Sequence, residues 1–209
     1  MDGKKTLKEI IVEAPHGVKL VPGASGIQNL AALNKSQTAA IISAFSEIES
    51  EIDFLIVDMA AGLSDSVMTF LCACQKRYIV VKNEPSSIAD AYATIKVMLQ
   101  DFNLNNISLI PNGVISQKDG VRLSKNINTV IKNFLGGNVD YLHSITFDEM
   151  ILRATKASKC LLDYAPSSNA TRDFKELAKI ITSQDSASAL SGGLQFFVER
   201  MTMNQARVG

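Results

Sequence analysis

The 209-residue sequence carries no surplus of either charge, with 21 Lys and Arg against 21 Asp and Glu. A broadly basic surface is therefore not expected, and no specific nucleic-acid partner is read. Cysteine is sparse. Cys72, Cys74 and Cys160 show no metal-ligand spacing, and Cys72-x-Cys74 sits in an apolar run that reads as buried thiols. An odd count without a signal peptide points to a reducing cytoplasm. His16 and His143 are the only histidines, and neither has a partner at ligand spacing. No stretch approaches the roughly 18 apolar residues that cross a bilayer. There is no Gly-x-Ser-x-Gly elbow and no glycine-rich phosphate loop ending in Lys-Ser or Lys-Thr. The opening Met1-Asp-Gly-Lys-Lys-Thr6 holds Gly-Lys, but no strand or glycine precedes it.

What is present suits a globular α/β chain of one sizeable domain, with 46% hydrophobic and 20% charged residues. Strand candidates are Val18–Val21, Phe54–Val57, Tyr78–Val81, Ile107–Ile110 and Val139–Ile145. Phe54–Val57 and Tyr78–Val81 are continuously apolar, as strands covered by helices on both faces are. Between them run helical stripes: Ile41, Phe45, Ile48 and Ile52; then Ile88, Ala91, Tyr92, Ile95, Met98, Leu99 and Phe102. Two more follow: Leu123, Ile127, Val130, Ile131 and Phe134; then Ala170, Phe174, Leu177, Ala178 and Ile181. Ser87 with Asp90 reads as an N-cap and its acidic third position. The alternation predicts a three-layer fold with a mostly parallel sheet, whose ligands bind beyond the carboxyl ends of the strands.

A domain over residues 1–182 is followed by a small, polar linker over 183–193 and a tail over 194–209. In the tail, Leu194, Phe197, Val198 and Met201 share one helical face, with Phe196 and Met203 nearly opposite. That face suits docking on a protein or reversible lodging in a membrane interface. Burying four such side chains yields roughly 6 kcal/mol before ordering costs.

The sharpest local pattern is Phe54-Leu-Ile-Val-Asp58-Met-Ala-Ala-Gly62. An acid at the carboxyl end of a strand can reach Mg²⁺, directly or through water. A glycine four residues on lets its N–H approach a phosphate with no Cβ in the way. The same pattern also fits an acid that ends a strand and caps the next helix. Glu84-Pro85-Ser86-Ser87 ends the third strand candidate, either as turn and cap or as a cofactor contact. Asn112 in Ile-Pro-Asn-Gly is either a turn residue or an amide able to read an adenine edge. Asp148 is open between N-cap and nucleotide contact.

Taken in order, several segments are similar to one family. They are Gly17-Val-Lys-Leu-Val-Pro-Gly-Ala-Ser-Gly26, Asp58-Met-Ala-Ala-Gly62, Glu84-Pro-Ser-Ser-Ile-Ala-Asp-Ala-Tyr92, Pro111-Asn112, Phe147-Asp148-Glu149 and Gly193-Leu-Gln-Phe-Phe-Val-Glu-Arg200. Over nearly its whole length the chain resembles the MinD/ParA class of P-loop ATPases, and within it the flagellar-number regulators of the FlhG/FleN branch. The resemblance implies an ATP- and Mg²⁺-dependent switch that dimerises around nucleotide and docks on the cytoplasmic membrane through its C-terminal helix. It makes Asp58 the acid of the second switch and Gly62 its γ-phosphate-sensing glycine. It makes Asn112 the adenine-reading asparagine and places Asp148 in the loop near the base. The partners it implies are a flagellar signal-recognition-type GTPase and the flagellar master transcriptional activator. The location it implies is cytoplasmic, reversibly peripheral to the inner membrane.

The family's opening strand, glycine-rich loop, signature lysine and first-switch aspartate have no counterpart in this sequence, and Thr146 stands where the family commonly has proline. The expectation is an N-terminally truncated, P-loop NTPase-like domain impaired in ATP binding. The alternatives are a non-enzymatic module that binds a partner or a membrane, and a division-site or partitioning ATPase of the same class.

Overall fold

The computed structural model describes residues 6–23, 35–60, 62–183 and 196–197. They fall into two compact units, residues 1–75 with 187–209 and residues 76–186.

In the first unit, helix α1 (Leu7–Ile10) leads into strand β1 (Val12–Glu13), which pairs antiparallel with β2 (Lys19–Leu20) across a 3₁₀ turn at Pro15–Gly17. The Val18–Val21 candidate is thus half of a small hairpin and not a strand of the parallel sheet. Helix α2 (Lys35–Ala44) continues as a 3₁₀ segment, Phe45–Glu51, and α3 (Asp65–Ala73) closes the unit. Leu7, Ile42, Phe45, Ile48, Ala73 and Phe196 form its core.

Phe54–Val57 is a correction. The run forms neither helix nor strand, and no strand pairs with it among the described residues. Leu55 and Val57 pack on the core, while Phe54 and Ile56 are 57% and 89% exposed. Its apolar sequence favours a strand, yet a strand exists only where a neighbour supplies the ladder.

The second unit is an α/β layer structure. Strand β3 (Arg77–Val81) is followed by α4 (Pro85–Gln100), β4 (Ile107–Val114), α5 (Gln117–Leu135), β5 (Asp140–Tyr141) and β6 (Ile145–Thr146). Helices α6 (Glu149–Lys156), α7 (Leu161–Tyr164) and α8 (Asn169–Ser183) complete it. Every pairing in this sheet is parallel, as predicted. Helices α4 and α5 cross over between successive parallel strands and so share one face. On the other face Ile151, Leu161, Leu177, Ile180 and Ile181 surround Ile110, Leu142, Ile145 and Ala170.

The Val139–Ile145 candidate resolves into two short strands along the same side of β4. β5 pairs at Ser108 and Leu109, β6 at Asn112 and Val114. The register slips between Asn112 and Val114, where Gly113 adopts φ 69°. The extra residue of this bulge breaks the ladder. Helix α4 starts at Pro85 with Glu84 at the N-cap position, so Ser87 lies inside the first turn. Its hydroxyl accepts from the Lys82 N–H at 3.0 Å.

The helical stripes were read too broadly. Phe102, Val130, Phe134 and Phe174 are exposed, whereas Ile95, Met98, Ile127 and Ile131 are buried. Cys72 and Cys74 are half-buried and Cys160 is exposed, so the expected burial of the first two is only partial.

Of the tail, the structure describes Phe196 and Phe197. Phe196 is 2% exposed, edge-on to Phe45 at 5.4 Å and stacked with Phe70 at 6.3 Å between ring centres. Its N–H donates to the Ala73 carbonyl at 3.1 Å, and its carbonyl accepts from Gln75 Nε2 at 2.7 Å. Phe197 has φ 58°, a left-handed turn. Leu194, Val198 and Met201 lie outside the described residues.

Candidate functional site

Parallel strands place their carboxyl ends together, so residues that follow successive strands share one edge of the sheet. In the second unit Glu84 and Pro85 follow β3, Asn112 lies in the last turn of β4's ladder, and Asp148 follows β6. The sequence candidates of this unit therefore meet at the edge where an α/β sheet binds ligands. Asp58 and Gly62 belong to the first unit.

Each candidate has a distinct local state. Asn112 is half-buried beside the bulge. Its amide has no hydrogen-bond partner among the described residues and remains able to donate and accept. Glu84 starts α4 with its backbone carbonyl, which accepts from the Ile88 N–H at 3.0 Å. Its carboxylate lies 3.9 Å from Lys82 Nζ in an exposed pair, an arrangement that contributes little. Pro85 fills the first helical position, where a missing N–H costs nothing.

Asp148 takes the capping alternative. One carboxylate oxygen accepts from the Met150 N–H at 2.9 Å, the other from the Ala170 N–H at 3.2 Å. Those two bonds, the Met150 bond first, hold its pKa below the ordinary carboxylate value. The side chain ties α6 to the start of α8.

In the first unit Asp58 is exposed, and its carboxylate has no partner among the described residues. Gly62 has φ 115°, and a Cβ built on it meets nothing within 4 Å. That backbone conformation requires glycine, and the open space lets a ligand oxygen approach. Ser64, two residues on, caps α3 by accepting from the Val67 N–H at 3.4 Å, so Asp58 is not that helix's cap.

Sequence reasoning missed a polar network behind the sheet edge. Asp173 of α8 accepts from Gln117 Nε2 at 2.9 Å and from both the N–H and the hydroxyl of Thr146. Tyr141 donates to Gln117 Oε1 at 3.0 Å, and Gln117 also donates to the Ser144 carbonyl at 2.9 Å. The available signal was Thr146 itself. A proline at that position has no N–H to give Asp173.

No protein-family model matches the chain. Antiactivator FleN of Pseudomonas aeruginosa is 35% identical over 206 residues, which is 99% of this chain and 74% of FleN. The chain belongs to the FlhG/FleN family of MinD-like ATPases. Flagellum site-determining protein YlxH of Helicobacter pylori is 29% identical over 96% of this chain and 69% of its own length. Among solved structures, the septum site-determining protein MinD of Pyrococcus horikoshii in complex with Mg-ADP has a TM-score of 0.67 at 20% identity. It aligns with 87% of this chain and 70% of its own. MinD of Pyrococcus furiosus gives 0.65 at 20% identity. These structures share the fold, a P-loop NTPase-like α/β architecture, while the sequence relatives tie the family to the flagellum.

Within the first unit, an Asp58 carboxylate with no partner among the described residues and an open glycine at Gly62 are of the kind that suits Mg²⁺ and a phosphate oxygen. Within the second unit, the Asn112 amide, likewise without a partner among the described residues, is of the kind that suits a base edge. The sequence holds no phosphate loop to cradle the remaining phosphates.

Proposed function

We propose that the protein is a MinD-like ATP-dependent regulator of flagellar number and placement, and that these 209 residues by themselves bind ATP weakly and hydrolyse it slowly. The observation that carries the reading is the Asp58 to Gly62 arrangement, a carboxylate without a partner among the described residues and an open left-handed glycine, in a chain 35% identical to FleN. In this reading Asp58 holds Mg²⁺ directly or through water, the Gly62 N–H senses the γ-phosphate, and Asn112 reads the adenine edge. Glu84 and Pro85 flank the nucleotide at the sheet edge. ATP supplies the phosphoryl group when bound. The chain's own residues help position it, but phosphoryl transfer depends on positioned charge around all three phosphates. A base contact and one switch glycine do not supply that.

FleN is named an antiactivator, and the corresponding partner here is the flagellar master transcriptional activator. A flagellar signal-recognition-type GTPase is the second partner, and a nucleotide-bound homodimer is the active form. No helix among the described residues is long and apolar enough to cross a membrane. The proposed location is the cytoplasm, with reversible docking on the inner membrane through Leu194, Phe197, Val198 and Met201. Docking in helical form requires the turn at Phe197 to rewind.

Calorimetry with ATP and Mg²⁺ on the purified chain tests the reading, beside Asp58→Ala and Asn112→Ala and with a turnover assay. Binding weaker than about 1 mM, with no turnover, is expected, along with a further loss in Asn112→Ala. Micromolar affinity with turnover that Asp58→Ala abolishes would overturn the impairment.

A further inference from the structure

Three elements of the second unit meet at one carboxylate. Asp173 lies on α8, with 15% of its side chain exposed. Its Oδ1 accepts from Gln117 Nε2, at the first position of α5, at 2.9 Å. Its Oδ2 accepts from the N–H of Thr146 on β6 at 2.8 Å and from the Thr146 hydroxyl. A buried carboxylate is costly unless donors surround it, and three do. His143 Nε2 stands 3.7 Å from Oδ1 and makes no hydrogen bond. The carboxylate is in turn oriented from the α5 side. Gln117 uses both amide hydrogens, one on Asp173 and one on the Ser144 carbonyl, and its Oε1 accepts from the Tyr141 hydroxyl. Gly120, one turn on, lies so close that a Cβ built on it would fall 1.9 Å from Ser144 Oγ.

Thr146 connects this corner to the sheet edge. In a parallel pair, alternate residues turn their main chain toward the same neighbour. The Phe147 N–H donates to the Val114 carbonyl at 2.8 Å, so Thr146, one residue earlier, turns its N–H away from β4 and gives it to Asp173. Strand β6 is therefore held on one side by the ladder to β4 and on the other by Asp173. The ladder is the weaker hold, because it is interrupted. The pairs Asn112–Ile145 and Val114–Thr146 flank the bulge at Gly113. Asn112 sits at that break, half-buried, and no hydrogen bond among the described residues aims its amide. The direction of the amide is inherited from the local backbone, and that backbone is only as fixed as β6.

We propose that Asp173 is a positioning residue: acting through Thr146, it holds β6 against the bulge and so fixes the Asn112 amide in the orientation that reads a nucleobase edge. This rests on the reading of Asn112 as the base contact, whereas the grip of Asp173 on Thr146 does not. The grip answers the threonine. A proline at 146 has its φ fixed by its ring and no N–H to satisfy, so with proline there Asp173 has nothing on β6 to hold. That dependence supplies the control for the test.

The test compares the 209-residue chain with Asp173→Ala, Thr146→Pro, the double variant and Asn112→Ala. Residue-resolved hydrogen exchange without nucleotide reads the grip on β6. Asp173→Ala should quicken exchange at the Phe147 amide by about tenfold and leave Ile79 and Ile95 unchanged. In the Thr146→Pro background the same substitution should alter exchange at Phe147 by less than about twofold. NMR titration with ATP and with GTP reads the base contact. Asp173→Ala should lower the preference for ATP over GTP by about threefold or more, and Asn112→Ala should abolish it. Thr146→Pro should keep the preference with or without Asp173. Asp173→Asn retains one acceptor oxygen and should fall between the parent and Asp173→Ala, and it takes the place of Asp173→Ala if circular dichroism shows that variant unfolded. Faster exchange throughout the second unit with an unchanged preference for ATP would make Asp173 a stabilising residue alone and overturn the proposal. An equal loss of preference with threonine and with proline at 146 would overturn it too. A parent without preference, or a preference that survives Asn112→Ala, would overturn the reading of Asn112, and the proposal's base contact with it, whatever the exchange shows.

Discussion

One carboxylate, that of Asp148, serves two helices, and its two amide bonds make the stability of the second unit depend on pH. The native pKa lies below the ordinary value, so folding favours the ionised form. The stabilisation is complete above about pH 4 and is lost as pH falls through the lower native value. Asp148→Asn keeps an acceptor without the charge and should flatten the acid limb. Asp148→Ala should lower stability at pH 7 by about 1 kcal/mol, as the loss of an N-cap does. Urea unfolding at pH 7 and pH 3 measures both, and an unchanged acid limb in Asp148→Asn would assign the titration elsewhere. At this scale the readable residues were those in contiguous patterns. Asp58 and Gly62 stand four apart after an apolar run, and Thr-Phe-Asp-Glu marks a helix start. Asp173 was invisible because its partners, Gln117 and Thr146, lie 56 and 27 positions away.

Elements were legible where a local period dictated them and illegible where a neighbour decided. Helices α4, α5 and α8 follow their stripes, and β3 and β4 follow their apolar runs. The stripes overreached at Phe134 and Phe174, which share the helical angle of buried residues yet are exposed. Phe54–Val57 has strand composition but no partner among the described residues, and composition does not reveal that. Helical spacing in the tail likewise set Phe196 opposite its apolar face, yet Phe196 is the buried residue. It fills the centre of the first unit between Phe45 and Phe70, so Phe196→Ala should cost about 3–5 kcal/mol in that unit. Denaturant unfolding followed by hydrogen exchange should show the loss in α2 and α3, with β4 and α5 unchanged. A loss below about 1 kcal/mol would mean that the ring is not part of the native core.

At the scale of the whole molecule, the two units differ in how the chain builds them. The second is continuous in sequence, from 76 to 186, and each of its strands pairs within about two elements of chain. The first is discontinuous. Its core includes Phe196, which Gln75 grips across 121 positions of sequence. The ribosome makes protein from the amino terminus, and domains generally fold as they emerge. For the first unit that order is reversed: its helices leave the ribosome early but must wait for a single aromatic ring made near the end. Nascent chains stalled so that residue 183 has just cleared the exit tunnel should therefore contain a protease-resistant second unit and a first unit that is still cut. Extending them past residue 197 should protect the first unit as well. Of these 209 residues, those synthesised first are the last to become native.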